Sequence, residues 1–458
     1  MLRYGISLLY WFCIFCCTEV YGSVSELTER NPYNLENSVS SEHFVIYWQE
    51  GVDAAQVEPL LDILEHSWES LVIEQGYERP ITMQNYKLNV YLSGTGSRVP
   101  YNHVLGGYAI LDRRGHEAFV MHKDIVPLPD NLIFVLPHEF FHTIQSSYGL
   151  IRSDAMVYIS WLTEATASWA VGLTDAGAQS VAEHVLAQYA FYPHYTLYHE
   201  SPTKEGSGYD LLRGHHYGAY LFFVHLTELT GDQNFVRHFL EYLKTIARPN
   251  HTPNAVKELD RYLIDTHNIT LSSAFAAFSA RNALWDYPDQ SVYVEVLASR
   301  STNHRNEHIA RRHAQPENRW HSAPVATLPR RFGSNYIELA KPSQGNLLIS
   351  FQGASHGSLN ASSEWHVSVV TTTNGIASYT QLPLQNGRLD EFSVAVAGAD
   401  KVMLAIAVTT AIDDHSSLDE TFLYQYKFAY PDQQEPASGG GAVSTLLLLL
   451  GLVWMRRR

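Results

Sequence analysis

Beyond residue 17 the chain has no cysteine: Cys13, Cys16 and Cys17 account for all three. That absence excludes disulfides and thiolate metal ligands from the body of the protein, so any metal must be held by histidine and carboxylate. Basic residues are also scarce, with 31 Lys and Arg against 47 Asp and Glu and a net charge of −16. So acidic a chain disfavours nucleic acid and anionic lipid as partners and favours solubility. Internal repeats are missing, and long apolar runs are confined to the two ends.

Those ends read as export signals. The first seventeen residues, MLRYGISLLYWFCIFCC, place one Arg before a short apolar run, and Val20 and Gly22 suit cleavage before Ser23. Residues 1–22 are therefore expected to be a signal peptide and 23–41 an N-terminal extension. At the other end a polar spacer, 431–441, closes on Gly439, Gly440 and Gly441, followed by an apolar stretch, 442–455, and by Arg456, Arg457 and Arg458. The stretch is short for a stable span, and the Arg cluster is a positive-inside signal. This layout resembles the Gly-Gly sorting tails of Gram-negative bacteria. The resemblance implies a sorting protease as partner, transient inner-membrane anchoring through 442–455, and release to the cell surface or medium.

Between the ends the patterning changes twice. Residues 43–48 (HFVIYW), 87–92 (KLNVYL) and 118–124 (AFVMHKD) read as strands, with a helix capped by Asp53 running to about Glu74. From about 131 to 280 apolar residues recur at three-to-four spacing, as in helices. Residues 299–328 contain a polar, Arg- and His-rich stretch without periodicity and read as a linker. From 329 to 430, six or seven short runs rich in β-branched and aromatic residues, separated by turns such as Asn374-Gly375 and Asn386-Gly387, predict a β-sandwich. The expected class is α+β: a small α/β lobe and a mostly helical lobe over 42–298, then the sandwich.

The chemistry concentrates in two segments, HEFFH at His138 to His142 and WLTEATASW at Trp161 to Trp169. On a helix, residues four apart share a face, so His138 and His142 can offer ring nitrogens to one metal while Glu139 lies beside them. Glu164, on a second helix about twenty residues later, supplies a carboxylate. Two imidazoles and one carboxylate leave a fourth zinc position open, which is the catalytic rather than the structural arrangement.

These two segments resemble the gluzincin zinc metallopeptidases over about residues 40 to 290, the second through the W-L-x-E-G-x-A pattern of their aminopeptidase-like members. The resemblance implies His138, His142 and Glu164 as Zn2+ ligands and Glu139 as general base. The chain departs from the pattern at Ala165, where the family has Gly, and carries Pro137 immediately before His138, read as a local kink. Metzincins would need Gly and His where Gln145 and Tyr148 stand. The exopeptidase signature G-A-M-E-N is missing too, so a protein or peptide cut internally is the expected substrate. The resemblance also implies an oxyanion donor opposite the zinc, and G-H-H-Y-G-A-Y-L-F-F at 214–223 offers Tyr217 first, then His215, with His216 and Tyr209 behind.

Plainer readings exist for each feature. The two histidines could be satisfied by hydrogen bonds inside a core, Trp365 reads as a sandwich core residue before it reads as a glycan platform, and the whole could be an adhesin-like surface binding protein with an inactive peptidase fold. Chelator-sensitive proteolysis separates these from the enzyme.

Overall fold

The computed structural model describes residues 27–103, 106–150, 156–200, 211–246, 253–300, 308–341, 345–412 and 418–431. The expected signal peptide, the apolar tail and Tyr209 lie outside them. The chain is a mixed α and β protein, in agreement with the expected α+β class.

Three strands, β2 (Phe44–Trp48), β3 (Leu88–Ser93) and β5 (Glu117–His122), run parallel, flanked antiparallel by β1 (Asn37–Ser40) and β4 (Gly107–Leu111) in the order β1-β2-β3-β5-β4. Phe44, Ile46, Val90 and Phe119 point to one face, where Val57, Leu60 and Leu64 of helix α1 (Ala54–Trp68) cover them; Val45, Tyr47, Tyr91 and Val120 fill a second cluster behind. Burial on both faces explains why these strands are almost uninterrupted apolar runs. Asp53 accepts the Ala55 N–H and Gln56 accepts the Asp53 N–H, so helix α1 starts at a capping box. Within the expected extension 23–41, residues Asn37–Ser40 form β1 of this sheet.

The longer helices that follow are α2 (Pro129–Ser146), α3 (Ile159–Val171), α4 (Tyr220–Thr230), α5 (Phe235–Ile246), α6 (Ala255–His267), α7 (Leu271–Asn282) and α8 (Gln290–Arg300). Pro129 stands at the first turn of α2, where its missing N–H costs nothing, and the helix runs on through Pro137. The face of the sheet that carries α1 shares one continuous core with these helices, through Phe140, Ile144, Trp161, Phe223 and Phe275.

The remaining strands form two sheets. One has the order β11-β10-β13-β8-β6, from β6 (Ile309–Arg312), β8 (Gly333–Leu339), β10 (Glu364–Thr373), β11 (Ile376–Gln381) and β13 (Lys401–Thr409). The other has the order β12-β9-β14-β7, from β7 (His321–Ser322), β9 (Asn346–Gly353), β12 (Arg388–Ala395) and β14 (Tyr424–Ala429). Side chains from both meet in one apolar cluster that includes Ile337, Ile349, Phe351, Leu404, Ile406 and Tyr426. Trp365 is 5% exposed within that cluster and donates its indole N–H to the Ala354 carbonyl at 2.9 Å, which makes it core and not a glycan platform. Residues 299–328 are likewise more than a linker, since they supply β6 to one sheet and β7 to the other.

The five-stranded sheet turns its outer face to α7, where Tyr336, Val370 and Met403 pack against Ala280 and Ala283. Beside that contact, main-chain bonds lace residues 193–197 to the start of β8: Leu197 N–H to Phe332, Arg330 N–H to His194 and Ser334 N–H to Pro193, at 2.9, 2.8 and 2.7 Å. Only glycine fits at 333, because a Cβ there would stand 2.6 Å from the His194 carbonyl oxygen.

Arg331 is buried with Glu420, donating to Oε2 at 3.1 and 2.7 Å, while Glu420 Oε1 accepts the N–H groups of Leu359 and Ala361. Glu420→Ala strands the guanidinium in the core and is expected to cost about 3–5 kcal/mol in urea unfolding of the full chain, whereas a loss below about 1 kcal/mol would remove this pair from the stability account.

Candidate metal centre

Helix α2 presents His138 and His142 on the side facing α3, and α3 presents Glu164 back. Helix α3 is aimed by its own start: Tyr158 takes the left-handed conformation at the N-cap, and the Glu200 carboxylate accepts the Trp161 N–H at 3.0 Å and the Ser160 N–H. A carboxylate at a helix N-terminus satisfies otherwise orphaned donors.

The three candidate ligand atoms form a nearly equilateral triangle. His138 Nε2 is 3.0 Å from Glu164 Oε2, His142 Nε2 is 3.2 Å from the same oxygen, and the two imidazole nitrogens are 3.1 Å apart. Tetrahedral ligands at 2.0–2.1 Å from zinc stand about 3.3 Å from one another, so the triangle has the size one such ion requires. The rings are nearly perpendicular, at 89°, as two imidazoles directed at one point from adjacent helical turns can be.

Gln145 orients this set. Its amide nitrogen donates to the Thr163 carbonyl and to Thr166 Oγ1, both at 2.9 Å, which leaves Oε1 facing His142 Nδ1 at 2.8 Å. The Nδ1–H therefore donates to Gln145, so that once His142 gives up its second proton the Nε2 lone pair faces the triangle, the tautomer a ligand needs. Thr166 acts through Gln145, whereas Ser168 is buried on α3 and Asp175 is on the surface beside His66.

Electrostatics bind the group together. Burial alone would raise the Glu164 carboxyl, but the charge of His142 and hydrogen bonds from both imidazoles hold it well below the usual carboxylate range. Burial also works against a charged His142, yet Glu164, Glu139 and Gln145 lift it to about 9. Burial keeps His138 below its ordinary value. At neutral pH the centre thus holds one proton between His142 and Glu164, which a cation must displace.

Glu139 lies beside the triangle with 7% exposure, and burial, opposed by His142, pushes its carboxyl up to about 7. It meets the neighbouring sheet. Strand β4, at the edge of its sheet, passes over α2, with the Ala109 N–H donating to the Glu139 carboxylate. A Cβ on Gly107 would stand 2.5 Å from Glu139 Oε1, so glycine permits this close approach. The adjacent glycines, Gly106 and Gly107, were a signal for close backbone approach as well as for a turn.

Tyr217 converges on the site, its hydroxyl donating to Glu164 and its ring centroid 5.6 Å from that of His138; the negative charge of Glu164, then burial, raises its pKa well above the ordinary value. His215 does not face the site. It is fully buried against Tyr189, Tyr195 and His199, and its place near the ligands is taken by the neighbouring His216, whose charge is coupled to Glu164.

The chain belongs to a family of unknown function, DUF6055, whose sequence profile matches residues 16–433. No curated protein matches it.

Two measurements test this geometry. Zinc affinity is expected to fall steadily as pH drops below about 9, by up to about tenfold per unit, because His142 must release its proton to become a ligand. Gln145→Leu frees the His142 ring and is expected to weaken zinc binding by about 10–100-fold in competition with a chelator; unchanged affinity would deny Gln145 its orienting part.

Proposed function

We propose that the protein is a zinc-dependent peptidase, exported and released or displayed at the cell surface, that hydrolyses internal peptide bonds. The reading is carried by the 3.0–3.2 Å triangle of His138, His142 and Glu164 with Glu139 at its side. In this reading residues 42–298 are a gluzincin-like catalytic unit and the two facing sheets are a C-terminal β-sandwich. Among the described residues no helix is long and apolar enough to cross a membrane; the proposed transient anchor is 442–455, outside them.

His138, His142 and Glu164 would hold the ion, which when bound supplies a Lewis acid that polarises the scissile carbonyl and acidifies water. Glu139 takes the proton of the attacking water and returns it to the departing amine. Its burial raises its basicity from that of a surface carboxylate toward the working range of a general base, while the Ala109 N–H fixes its direction. Tyr217, whose hydroxyl already reaches Glu164, turns its hydrogen bond to the oxyanion that develops on the substrate carbonyl. Strand β4 supplies a straight wall on the Glu139 side, against which an extended substrate can lie.

Metal content and casein cleavage of the mature chain test the proposal. Glu139→Gln keeps shape and ligands but cannot accept a proton, so it is expected to retain the parent's zinc and lose cleavage by about 10²–10⁴-fold. Tyr217→Phe is expected to lower kcat by about 10²–10³-fold with little change in KM. Zinc binding without cleavage by the parent would instead make this a surface binding protein on a peptidase-like fold.

A further inference from the structure

A second group of ligand-type side chains lies in the crossover between the two C-terminal sheets. His313, Glu317 and His321 bring one potential ligand atom each to within 4.8 Å of one another. The rings of His313 and His321 are 4.5 Å apart at 67°, and Glu317 Oε2 is 3.7 Å from His321 Nε2. His321 is 6% exposed, and its Nε2 is buried without a hydrogen-bond partner, an arrangement that costs free energy unless something else occupies that lone pair or proton. The three residues are four apart, His-x3-Glu-x3-His, but occupy a loop and a strand rather than a helix.

The backbone holds the two histidines on different sheets. The His313 N–H donates to the Glu338 carbonyl of β8 at 2.9 Å, extending the five-stranded sheet, whereas His321 lies in β7 and pairs with Tyr426 of β14 in the four-stranded one. The Tyr426 hydroxyl, 2.6 Å from His313 Nε2, and the rings of Tyr426 and Phe428 fix both imidazoles from behind. Neighbouring groups leave the carboxylate accessible: its partner Arg319, at 2.6 Å, is 73% exposed, and such a surface pair contributes little and yields readily.

We propose that His313, Glu317 and His321 form a second binding site for a zinc-type dication, with its fourth position left to water, that clips the crossover from β6 to β7 and so pins the two sheets together at this end. Two imidazoles and one carboxylate are the donor set that such ions prefer over calcium or magnesium. The site stands independently of the peptidase reading.

Zinc content of the purified full chain after dialysis, with the unfolding temperature measured with and without added zinc, tests the proposal. The parent is expected to carry two equivalents. His313→Gln and Glu317→Gln should each carry one while still cleaving casein as the parent does, and His142→Ala should lose the other equivalent. Added zinc should raise the unfolding temperature of His142→Ala but not of His142→Ala/Glu317→Gln. Should His313→Gln fail to fold, the more exposed Glu317→Gln carries the test alone. Equal zinc in the parent and in Glu317→Gln, with equal response of unfolding to added zinc, would overturn the second site. Equal zinc in the parent and in His142→Ala would sink the first centre and leave this one standing.

Discussion

The junction between α2 and α3 is the contact on which the rest depends. Two imidazoles and a carboxylate cannot share a buried volume without a partner for their charges, and their mutual distances are set by how closely the two helices lie. Gln145 fixes that approach, because one amide ties His142 on α2 to the main chain of α3. The strong local coupling follows: Glu164 stays anionic, His142 keeps a proton at neutral pH, and Glu139, next in sequence to His138, is made a better base by the same exclusion of water.

Much of this centre was legible because helical spacing is a one-dimensional rule. His138, Glu139 and His142 are related by positions along a single helix, and the strands at 43–48, 87–92 and 118–124 betray themselves by length and apolar content. What sequence could not supply was direction across the chain. His215 and Tyr217 are two residues apart at the start of one short helix, and the turn between them sends the first into an aromatic cluster and the second to Glu164. Strand β4 was hidden because it opens on Gly107 directly after Gly106, and glycines punctuate loops far more often than they open strands. The polar text of 299–328 concealed β6 and β7 for the opposite reason, since edge strands of four and two residues carry too few side chains to show an alternating pattern.

Gln145 carries a lesson of a different kind. Its position served in the sequence only to exclude the metzincins, because glycine is what that class requires there. In the structure the same side chain is the one that selects the tautomer of His142. A residue can thus mark both what a chain is not and how its alternative works.

The lacing of residues 193–197 to the first residues of β8 makes the C-terminal sheets a brace for the other half of the molecule. Glu200, which holds the N-terminus of α3, follows that laced segment by three residues, so the orientation of the helix carrying Glu164 is set partly by strands more than a hundred residues downstream. The two halves are accordingly poor candidates for separate evolutionary lives: a gene fragment ending near residue 298 would encode His138, His142 and Glu164 yet lack the scaffold that keeps one of them in register with the others.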